Sequence, residues 1–264
     1  MKISIITVNY NNLFGLAMTI RSVIGQDYPD IEYIVIDGGS NDGSRELIEQ
    51  YRDKITYWVS EADNGIYDGM NKGIRQSHGD YLLFLNSGDY FISRHILSKI
   101  FSNKKRIIHS DLVIGRQRYI DGDKKMGISP KLHVEEINME YFISSTLPHQ
   151  ATFIHRNLFL KCGLYDSSYR VSADWVFWVE AVVKHHCSLQ IINKSVSYMD
   201  IKGVSSDMTK CHKDMKRYLN NCLQDGTLSW MVLFNMAIKS RSFTIEERML
   251  KNIRKIIQFI CKQL

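Results

Sequence analysis

Short apolar runs rich in β-branched residues alternate with helical periodicities along the first third of the chain. Four runs have the length and composition of strands, namely Ile3 to Val8, Ile31 to Ile36, Ile55 to Val59 and Tyr81 to Leu85. Apolar residues recur every three or four positions from Leu13 to Ile24, which predicts a helix that ends near Gly25. Further helices are predicted over residues 42–51 and about 65–77. Because strands alternate with helices, we expect an α/β protein with a mostly parallel central sheet flanked by helices.

The second half of the chain has shorter strand candidates separated by irregular stretches. These candidates are residues 107–108, 112–114, 118–120 and 151–154. Residues 121–148 are predicted to be loop with one short helix, and a longer helix is predicted from about Ser172 to His185. Its Trp175 and Trp178 have the spacing of core residues, with stacking on a ligand as the alternative. Helical segments complete the chain, so we divide it into a domain of residues 1–208 and a helical appendage of residues 209–264.

The positive charge of the chain is concentrated in this appendage. The whole chain has a formal net charge of +6, whereas residues 209–264 alone carry +7 and the residues before them sum to −1. A basic tail on a near-neutral body is unlike the basic groove of a nucleic-acid-binding protein, so we expect no nucleic-acid partner. The tail is predicted to meet an anionic surface, and a merely solvated tail is the alternative.

The five cysteines and the N-terminal residues indicate a cytosolic location. The cysteines have no pair at zinc or dithiol spacing, which is typical of a reducing compartment. The first apolar run is too short for a signal peptide, and no segment approaches the roughly 20 apolar residues that span a bilayer. We therefore expect a cytoplasmic protein without an integral membrane segment.

The last 21 residues have the pattern of an amphipathic helix. Thr244 and Glu247 form a capping-box sequence, and apolar residues recur on one face from Met249 to Leu264. Basic residues occupy much of the remaining surface, which predicts contact with the anionic inner face of the cytoplasmic membrane. The alternative is that the apolar stripe packs on the domain itself or on the second subunit of a homodimer.

Each of the four predicted strands is followed by a polar segment. These segments are residues 9–12, 37–43, 61–64 and 86–89. In an open parallel sheet the ligand crevice lies beyond the carboxyl ends of the strands, so these residues are the first candidates for a binding site. Ordinary surface turns are the alternative explanation.

The glycine-rich segment 38–43 excludes two common phosphate loops. It lacks the third glycine of a dinucleotide fingerprint, and Ser44 stands where a P-loop has its lysine. The segment opens with Asp37, which is suited to accept a hydrogen bond from a base or a ribose hydroxyl, and its glycines let backbone approach a ligand. The pattern predicts a bound mononucleotide. Asp89, after the most apolar strand, could hold a divalent cation that bridges two phosphates, or could belong to an ordinary turn.

Four ordered motifs resemble those of family 2 glycosyltransferases. They are Ile-Ile-Thr-Val-Asn-Tyr-Asn at residues 5–11, Val-Ile-Asp-Gly-Gly-Ser-Asn-Asp-Gly-Ser at 35–44, Ser-Glu-Ala-Asp-Asn-Gly-Ile-Tyr-Asp-Gly-Met-Asn-Lys-Gly-Ile at 60–74, and Gly-Asp-Tyr-Leu-Leu-Phe-Leu-Asn-Ser-Gly-Asp at 79–89. The similarity extends to residues 163–178 and covers about residues 1–206. It implies a GT-A fold, in which a Rossmann-like, mostly parallel sheet is flanked by helices, and it is strongest with enzymes that build bacterial surface polysaccharides.

This resemblance implies a nucleotide-sugar donor linked to UDP, GDP or dTDP. The residues implied in donor binding are Thr7, Val8, Asn9, Tyr10, Asp37, Gly38, Gly39, Ser40, Asp63, Asn71, Lys72, Asn86, Ser87 and Gly88. Asp89 is the implied ligand of Mg²⁺ or Mn²⁺. The chain departs from the family's D-x-D motif, because Asn86-Ser87-Gly88-Asp89 keeps only the final aspartate. A metal-free enzyme, in which Lys72, Arg170 or Lys202 neutralises phosphate, is therefore the alternative.

The resemblance also implies that Asp174 is the catalytic base. A carboxylate can take the proton of an acceptor hydroxyl as that oxygen attacks the anomeric carbon. One alternative is that Asp174 only begins a helix, where a carboxylate interacts favourably with the helix dipole. From composition alone, Asp63, Asp68 and Asp166 are equally eligible as the base. The expected contacts with the acceptor or the diphosphate are His149, Gln150, Arg170 and Lys202, although a lone histidine such as His149 can instead complete a hydrogen bond in the core. Residues 203–206 are a candidate flap over the donor.

These observations predict an inverting, metal-assisted glycosyltransferase of cell-surface polysaccharide biosynthesis. The expected acceptor is a lipid-linked saccharide, which suits a protein peripheral to the inner face of the membrane. The alternative is a catalytically silent protein that binds sugar nucleotides, since the D-x-D motif is incomplete. A nucleotidyltransferase is disfavoured because the N-terminal region has no glycine-rich loop with a basic residue for a triphosphate.

Overall fold

The structure is a computed structural model that describes residues 1–102, 108–122, 124–201 and 208–224. Nine strands form one mixed sheet within these residues. The strands are β1 (Ile3–Asn9), β2 (Ile31–Asp37), β3 (Tyr57–Ser60), β4 (Tyr81–Phe84), β5 (Tyr90–Phe91), β6 (Leu112–Asp121), β7 (Lys124–Ile128), β8 (Thr152–His155) and β9 (Leu189–Asp200). The α-helices are α1 (Leu13–Ile24), α2 (Ser44–Gln50), α3 (Ile66–Gln76), α4 (Ile96–Phe101), α5 (Met139–Ser144), α6 (Arg156–Cys162), α7 (Ala173–Val179) and α8 (Met208–Gln224).

The first half of the sheet is parallel, as the alternation of strands and helices predicts. β1 lies between β2 and β4, and β3 pairs with β2. The register places Asn9 opposite Asp37 and Asp37 opposite Ser60, so three adjacent strands end on polar side chains at one edge. The polar segments that follow the strands therefore converge beyond this edge.

The second half of the sheet is mixed. β8 runs antiparallel to β4 and β6, and β9 runs parallel to β6 and antiparallel to β5. The candidates at residues 112–114 and 118–120 belong to the single strand β6, whose register against β9 shifts near Arg116. β7 lies in the stretch predicted to be loop. A shifted register breaks the regular alternation of apolar and polar residues, so the sequence pattern does not show where β6 and β7 begin and end.

Helices cover both faces of the sheet and produce two apolar clusters. Ile6 and Val8 of β1 pack in the cluster that contains α3 and α7, whereas Ile3 and Ile5 point to the cluster of α1, α2 and α4. Successive side chains of a strand point to opposite faces, and a strand that is apolar on both faces is buried on both. Trp175 and Trp178 are buried in the first cluster, so both are core residues.

The predicted helix over 172–185 consists of two parts, because α7 continues as a π-helical turn over Glu180–Lys184. α8 packs on α7, where Tyr218 and Cys222 are buried in the same cluster. Within the described residues, no helix combines the length and the apolar character needed to cross a bilayer. Lys202, the flap candidate at 203–206 and the amphipathic segment at 244–264 lie outside the described residues.

Candidate active site

A hydrogen-bond network centred on Asp37 organises the ends of β1, β2 and β3. Asp37 Oδ1 accepts from Asn9 Nδ2 at 2.7 Å and from Ser40 Oγ at 2.6 Å. Asp37 Oδ2 accepts from Ser60 Oγ at 2.6 Å and from the Ser40 backbone N–H at 2.9 Å. Burial raises the pKa of Asp37, but the bonds from Ser40, Ser60 and Asn9 outweigh it, and the pKa lies below its ordinary value. Asp37 is therefore an ionised hub that fixes the loop after β2.

Asp63 lies against this loop with one oxygen unused. A Cβ placed on Gly38 would lie 2.9 Å from Asp63 Oδ2, so only a glycine leaves room for the carboxylate here. The Gly65 backbone N–H donates to Asp63 Oδ1. Asp63 Oδ2 is buried and has no hydrogen-bond partner among the described residues. A buried acceptor without a partner is costly, so this oxygen marks a position where a ligand can donate.

Lys72 and Asn71 on α3 secure the neighbouring segments. Lys72 Nζ lies 2.8 Å from Glu61 Oε1 and donates to the Ala62 carbonyl at 3.3 Å, which ties α3 to the loop that carries Asp63. The hydrogen bond to Glu61 raises the pKa of Lys72. Asn71 exchanges two hydrogen bonds with the Tyr165 backbone, at 2.8 and 3.0 Å. Both ends of its amide are thus used by the protein.

The turn at Asn86–Asp89 is held from beneath by α1. Thr19 Oγ1 donates to the Asp89 carbonyl at 2.7 Å and accepts from the Gly88 backbone N–H at 3.1 Å. Asn12 Nδ2 donates to the Ser87 carbonyl at 3.0 Å, and the Asn12 side chain also caps α1. Gly88 has φ of +103°, a conformation that other residues seldom adopt. Thr19 of α1, the N-cap residue Asn12 and Gly88 therefore fix the turn that carries Asp89.

Asp89 is a buried carboxylate, only 6% exposed. Burial raises its pKa to about 7, although hydrogen bonds from the Gln150 side chain and the Asp200 backbone N–H oppose this shift. The Asp200 carboxylate adds to the increase by repulsion. Within the described surroundings, the ionised form of Asp89 is therefore disfavoured relative to an exposed aspartate.

The chemistry of this turn fits a hard divalent cation. Asp89 supplies a carboxylate, and Asn86 Oδ1 is a buried acceptor without a hydrogen-bond partner in the described part of the chain. In the same residues, no three His, Cys, Asp or Glu side chains are grouped to hold a metal. The described residues alone therefore do not offer a complete coordination shell.

Asp174, at the start of α7, combines a fixed position with access to a cavity. Tyr67 of α3 donates to Asp174 Oδ1 at 2.7 Å, and its hydroxyl also lies 2.9 Å from the Val171 carbonyl. The carboxylate lines a cavity of about 330 Å³. Asp174 thus begins a helix and also faces a space that can hold a reactant.

Two of the expected site residues lie in the interior. Thr7 is fully buried and its hydroxyl pairs with Tyr33 inside the sheet, while Val8 packs in the first apolar cluster. Tyr10 is 66% exposed, and its ring lies beside Gly38. The sheet edge therefore brings together Asn9, Tyr10, Ser40, Asp37 and Asp63. Thr7 and Val8 lie in the interior below them.

The expected acceptor contacts separate into different surroundings. His149 is buried, its Nε2 lies 3.0 Å from the Tyr165 hydroxyl, and its ring stacks on Phe84. Burial lowers the pKa of His149, so the imidazole is neutral and completes a core hydrogen bond. Gln150 reaches Asp89 instead, and Arg170 is exposed on the segment before α7.

Three side chains that position the site were absent from the sequence-based candidates. They are Thr19, Ser60 and Tyr67. Ser60 and Tyr67 belong to the third family motif, residues 60–74, so that motif could have identified them as candidates. Thr19 lies on an apolar helical stripe, where nothing in the local pattern distinguishes it.

Solved structures show which class of protein has this fold. Staphylococcus aureus TarS in complex with UDP-GlcNAc has a TM-score of 0.58 and 20% identity, and the match covers 76% of this chain and 58% of that one. The mannosyltransferase PcManGT from Pyrobaculum calidifontis, in complex with GDP-Man and Mn²⁺, has a TM-score of 0.60 and 13% identity over 84% of this chain and 64% of that one. This chain therefore spans less than two thirds of either structure. It has the GT-A fold of these glycosyltransferases.

Sequence comparison identifies the family. The family model described as "Glycosyl transferase family 2" matches residues 4–163. An uncharacterised glycosyltransferase of Mycobacterium tuberculosis is 33% identical over 209 residues, which are 77% of this chain and 77% of that protein. The chain belongs to glycosyl transferase family 2.

Proposed function

We propose that this protein transfers a sugar from a nucleoside-diphosphate donor to an acceptor hydroxyl with inversion at the anomeric carbon. The observation that carries the proposal is the pair of carboxylates with different surroundings. Asp89 is buried in the turn after β4, whereas Asp174 lines a cavity. Inverting transfer needs one group to manage the departing diphosphate and another to take the acceptor proton.

The donor site is assigned to the loops after β1, β2 and β3. Asp63 Oδ2, which lacks a partner among the described residues, would accept from a base N–H or a ribose hydroxyl. The exposed Tyr10 ring beside Gly38 offers a surface for the nucleoside. Asp37 and Asn9 shape this site through their own network. UDP, GDP and dTDP donors all contain groups that could donate to Asp63.

The diphosphate is assigned to the Asn86–Asp89 turn. Asp89 would hold Mg²⁺ or Mn²⁺ together with the donor phosphates, and this cation would neutralise the charge of the leaving nucleoside diphosphate. The protein's own part is to aim the Asp89 carboxylate, through Gln150 and through the bond from Thr19 to its carbonyl.

Asp174 is assigned the role of the base. An acceptor hydroxyl in the adjacent cavity would give its proton to the carboxylate while its oxygen bonds to the anomeric carbon and the bond to the diphosphate breaks. A single displacement of this kind inverts the anomeric configuration. Tyr67 holds Asp174 for this step from α3, the helix that follows the Asp63 loop.

The biological setting is proposed from sequence patterns. The similarity to enzymes of bacterial surface polysaccharides and the amphipathic, basic segment at 244–264 support a lipid-linked saccharide acceptor met at the inner face of the cytoplasmic membrane. The same apolar stripe could instead form a homodimer, and sedimentation with anionic vesicles would distinguish the two arrangements.

A nucleotide panel tests the proposed function. We expect one of UDP, GDP and dTDP to raise the melting temperature in the presence of Mn²⁺, because a ligand at 100 times its Kd stabilises the folded state by about 2.7 kcal/mol. Sugar nucleotides with the selected base are then assayed for hydrolysis and transfer. Selective binding without turnover of any such donor would contradict the proposed transferase activity. It would favour a protein that only binds sugar nucleotides.

Tyr67→Phe tests the orientation of the base. A hydrogen bond to a carboxylate favours its ionised form and fixes its rotamer. We expect transfer to slow about tenfold, the equivalent of one lost hydrogen bond, with the loss in kcat. Donor affinity should stay unchanged.

Tyr165→Phe is the matched control, since it removes a buried hydroxyl that pairs with His149 rather than with Asp174. A kcat that falls equally in both variants would mean that Tyr67 acts only through general stability of the fold.

A further inference from the structure

The cavity beside Asp174 has the size of one sugar unit. Its volume of about 330 Å³ is at the lower end of the roughly 300–1,000 Å³ typical of small-molecule pockets. The walls come from β6, from the segment between α5 and β8, from the start of α7 and from α8. As bounded by the described residues, this space matches one sugar unit, so we expect the terminal group of a larger molecule to enter.

The described lining is poor in positive charge. It contains no lysine or arginine, and Asp174 is its carboxylate. His212 is its one histidine and lies exposed on α8. Arg116, which is near in sequence to the lining residue Gln117, donates twice to the Ser129 carbonyl, at 2.9 and 2.6 Å. A second anion in the cavity would face Asp174 with no lysine or arginine among the described lining residues to neutralise it.

The remaining wall offers apolar surface and small hydroxyl groups. Trp175 Nε1 donates to the Phe142 carbonyl and the Tyr141 hydroxyl donates to the Thr146 carbonyl, so these polar atoms are already used by the protein. The partly exposed rings of Tyr119 and Tyr141, together with the exposed Pro130, supply apolar surface. A sugar ring has an apolar face and a hydroxyl rim, and this combination matches such a wall.

We propose that this cavity binds the acceptor sugar that carries the attacking hydroxyl, and that this sugar is neutral, a hexose or an acetamido sugar rather than a uronic acid or a sugar phosphate. The inference rests on the proposed function, because it takes Asp174 as the base. It adds the chemical class of the acceptor's terminal unit, which is selected by repulsion from Asp174 and by the apolar wall.

Matched pairs of simple glycosides test the proposal. With saturating donor and Mn²⁺, p-nitrophenyl glucoside and galactoside are compared with the corresponding glucuronide and galacturonide, and N-acetylglucosaminide is added. We expect a neutral member of the panel to accept sugar with kcat/KM at least about tenfold above its anionic match, since like charges oppose binding. Equal or better use of a uronide overturns the proposal. So does a protein that hydrolyses donor yet uses no neutral glycoside, whereas absence of donor hydrolysis sinks the proposed function itself.

A charge placed at the cavity provides a gain-of-function test. Thr146 is an exposed lining residue, so Thr146→Lys adds a cation near the bound sugar without filling the core. We expect this variant to improve the ratio of uronide use to neutral use about tenfold. Ser102→Lys adds the same charge beyond α4, a helix of the opposite apolar cluster, and should leave the ratio unchanged. An unchanged ratio in Thr146→Lys would place the acceptor elsewhere.

Discussion

Asp174→Asn is expected to slow sugar transfer by at least about 100-fold while donor affinity stays within error of the unmodified protein. The amide has the size of the carboxylate and can still accept the hydrogen bond from Tyr67, so the start of α7 keeps its shape. It cannot take a proton from the acceptor hydroxyl. Initial rates of transfer and titration of the donor nucleotide measure the two quantities separately.

Asp166→Asn is the matched control for this experiment. Asp166 lies in the segment between α6 and α7, and its carboxylate accepts from the Ser168 backbone N–H. It is exposed, so we expect near-normal transfer from this variant. Wild-type turnover in Asp174→Asn, together with loss of activity in another carboxylate variant, would mean that the base has been assigned to the wrong residue.

Asp89→Asn is expected to abolish turnover and the metal dependence of donor binding. The described part of the chain offers few ligands at this turn, so loss of the one buried carboxylate removes the main protein anchor for a cation. Calorimetric titration of the nucleotide with and without Mn²⁺ measures the effect. Full activity of the unmodified protein in EDTA would contradict the proposed metal and favour cationic side chains such as Lys72 or Arg170.

The pH dependence of metal binding is an independent test of Asp89 as the ligand of the cation. The pKa of Asp89 is raised to about 7, so a cation must displace a proton below that pH. We expect the affinity for Mn²⁺ in the presence of donor to weaken as pH falls from 8 to 6, with proton release upon binding.

The melting temperature controls for folding in this variant. Because the folded-state pKa of Asp89 lies above that of an unfolded aspartate, its ionisation costs stability as pH rises through 7. Asp89→Asn removes this buried charge. At pH 8 its melting temperature should therefore be no lower than that of the unmodified protein. A large decrease would show that the variant fails through folding.

Local patterns were sufficient for the first half of the fold and for most of the polar edge of the sheet. The strands β1, β2 and β4 and the helices α1 and α3 lie within a few residues of the predicted positions, because buried parallel strands and amphipathic helices have distinct periods. The carboxyl ends of parallel strands meet at one edge, so the positions of Asp37 and of the Asn86–Asp89 turn at that edge were predictable from topology.

Tertiary structure decided the mixed half of the sheet and the contacts that connect the site. β7 lies in a predicted loop, and β6 replaces two predicted strands, because an irregular register has no simple sequence period. Tyr67 and Asp174 are 107 residues apart, and Gln150 reaches Asp89 from a separate segment. The sequence by itself determined which residue types end each strand. Packing of α3 and α7 on the sheet determined which side chains of the site contact one another. Long-range side-chain contacts depend on how elements pack and not on local periodicity.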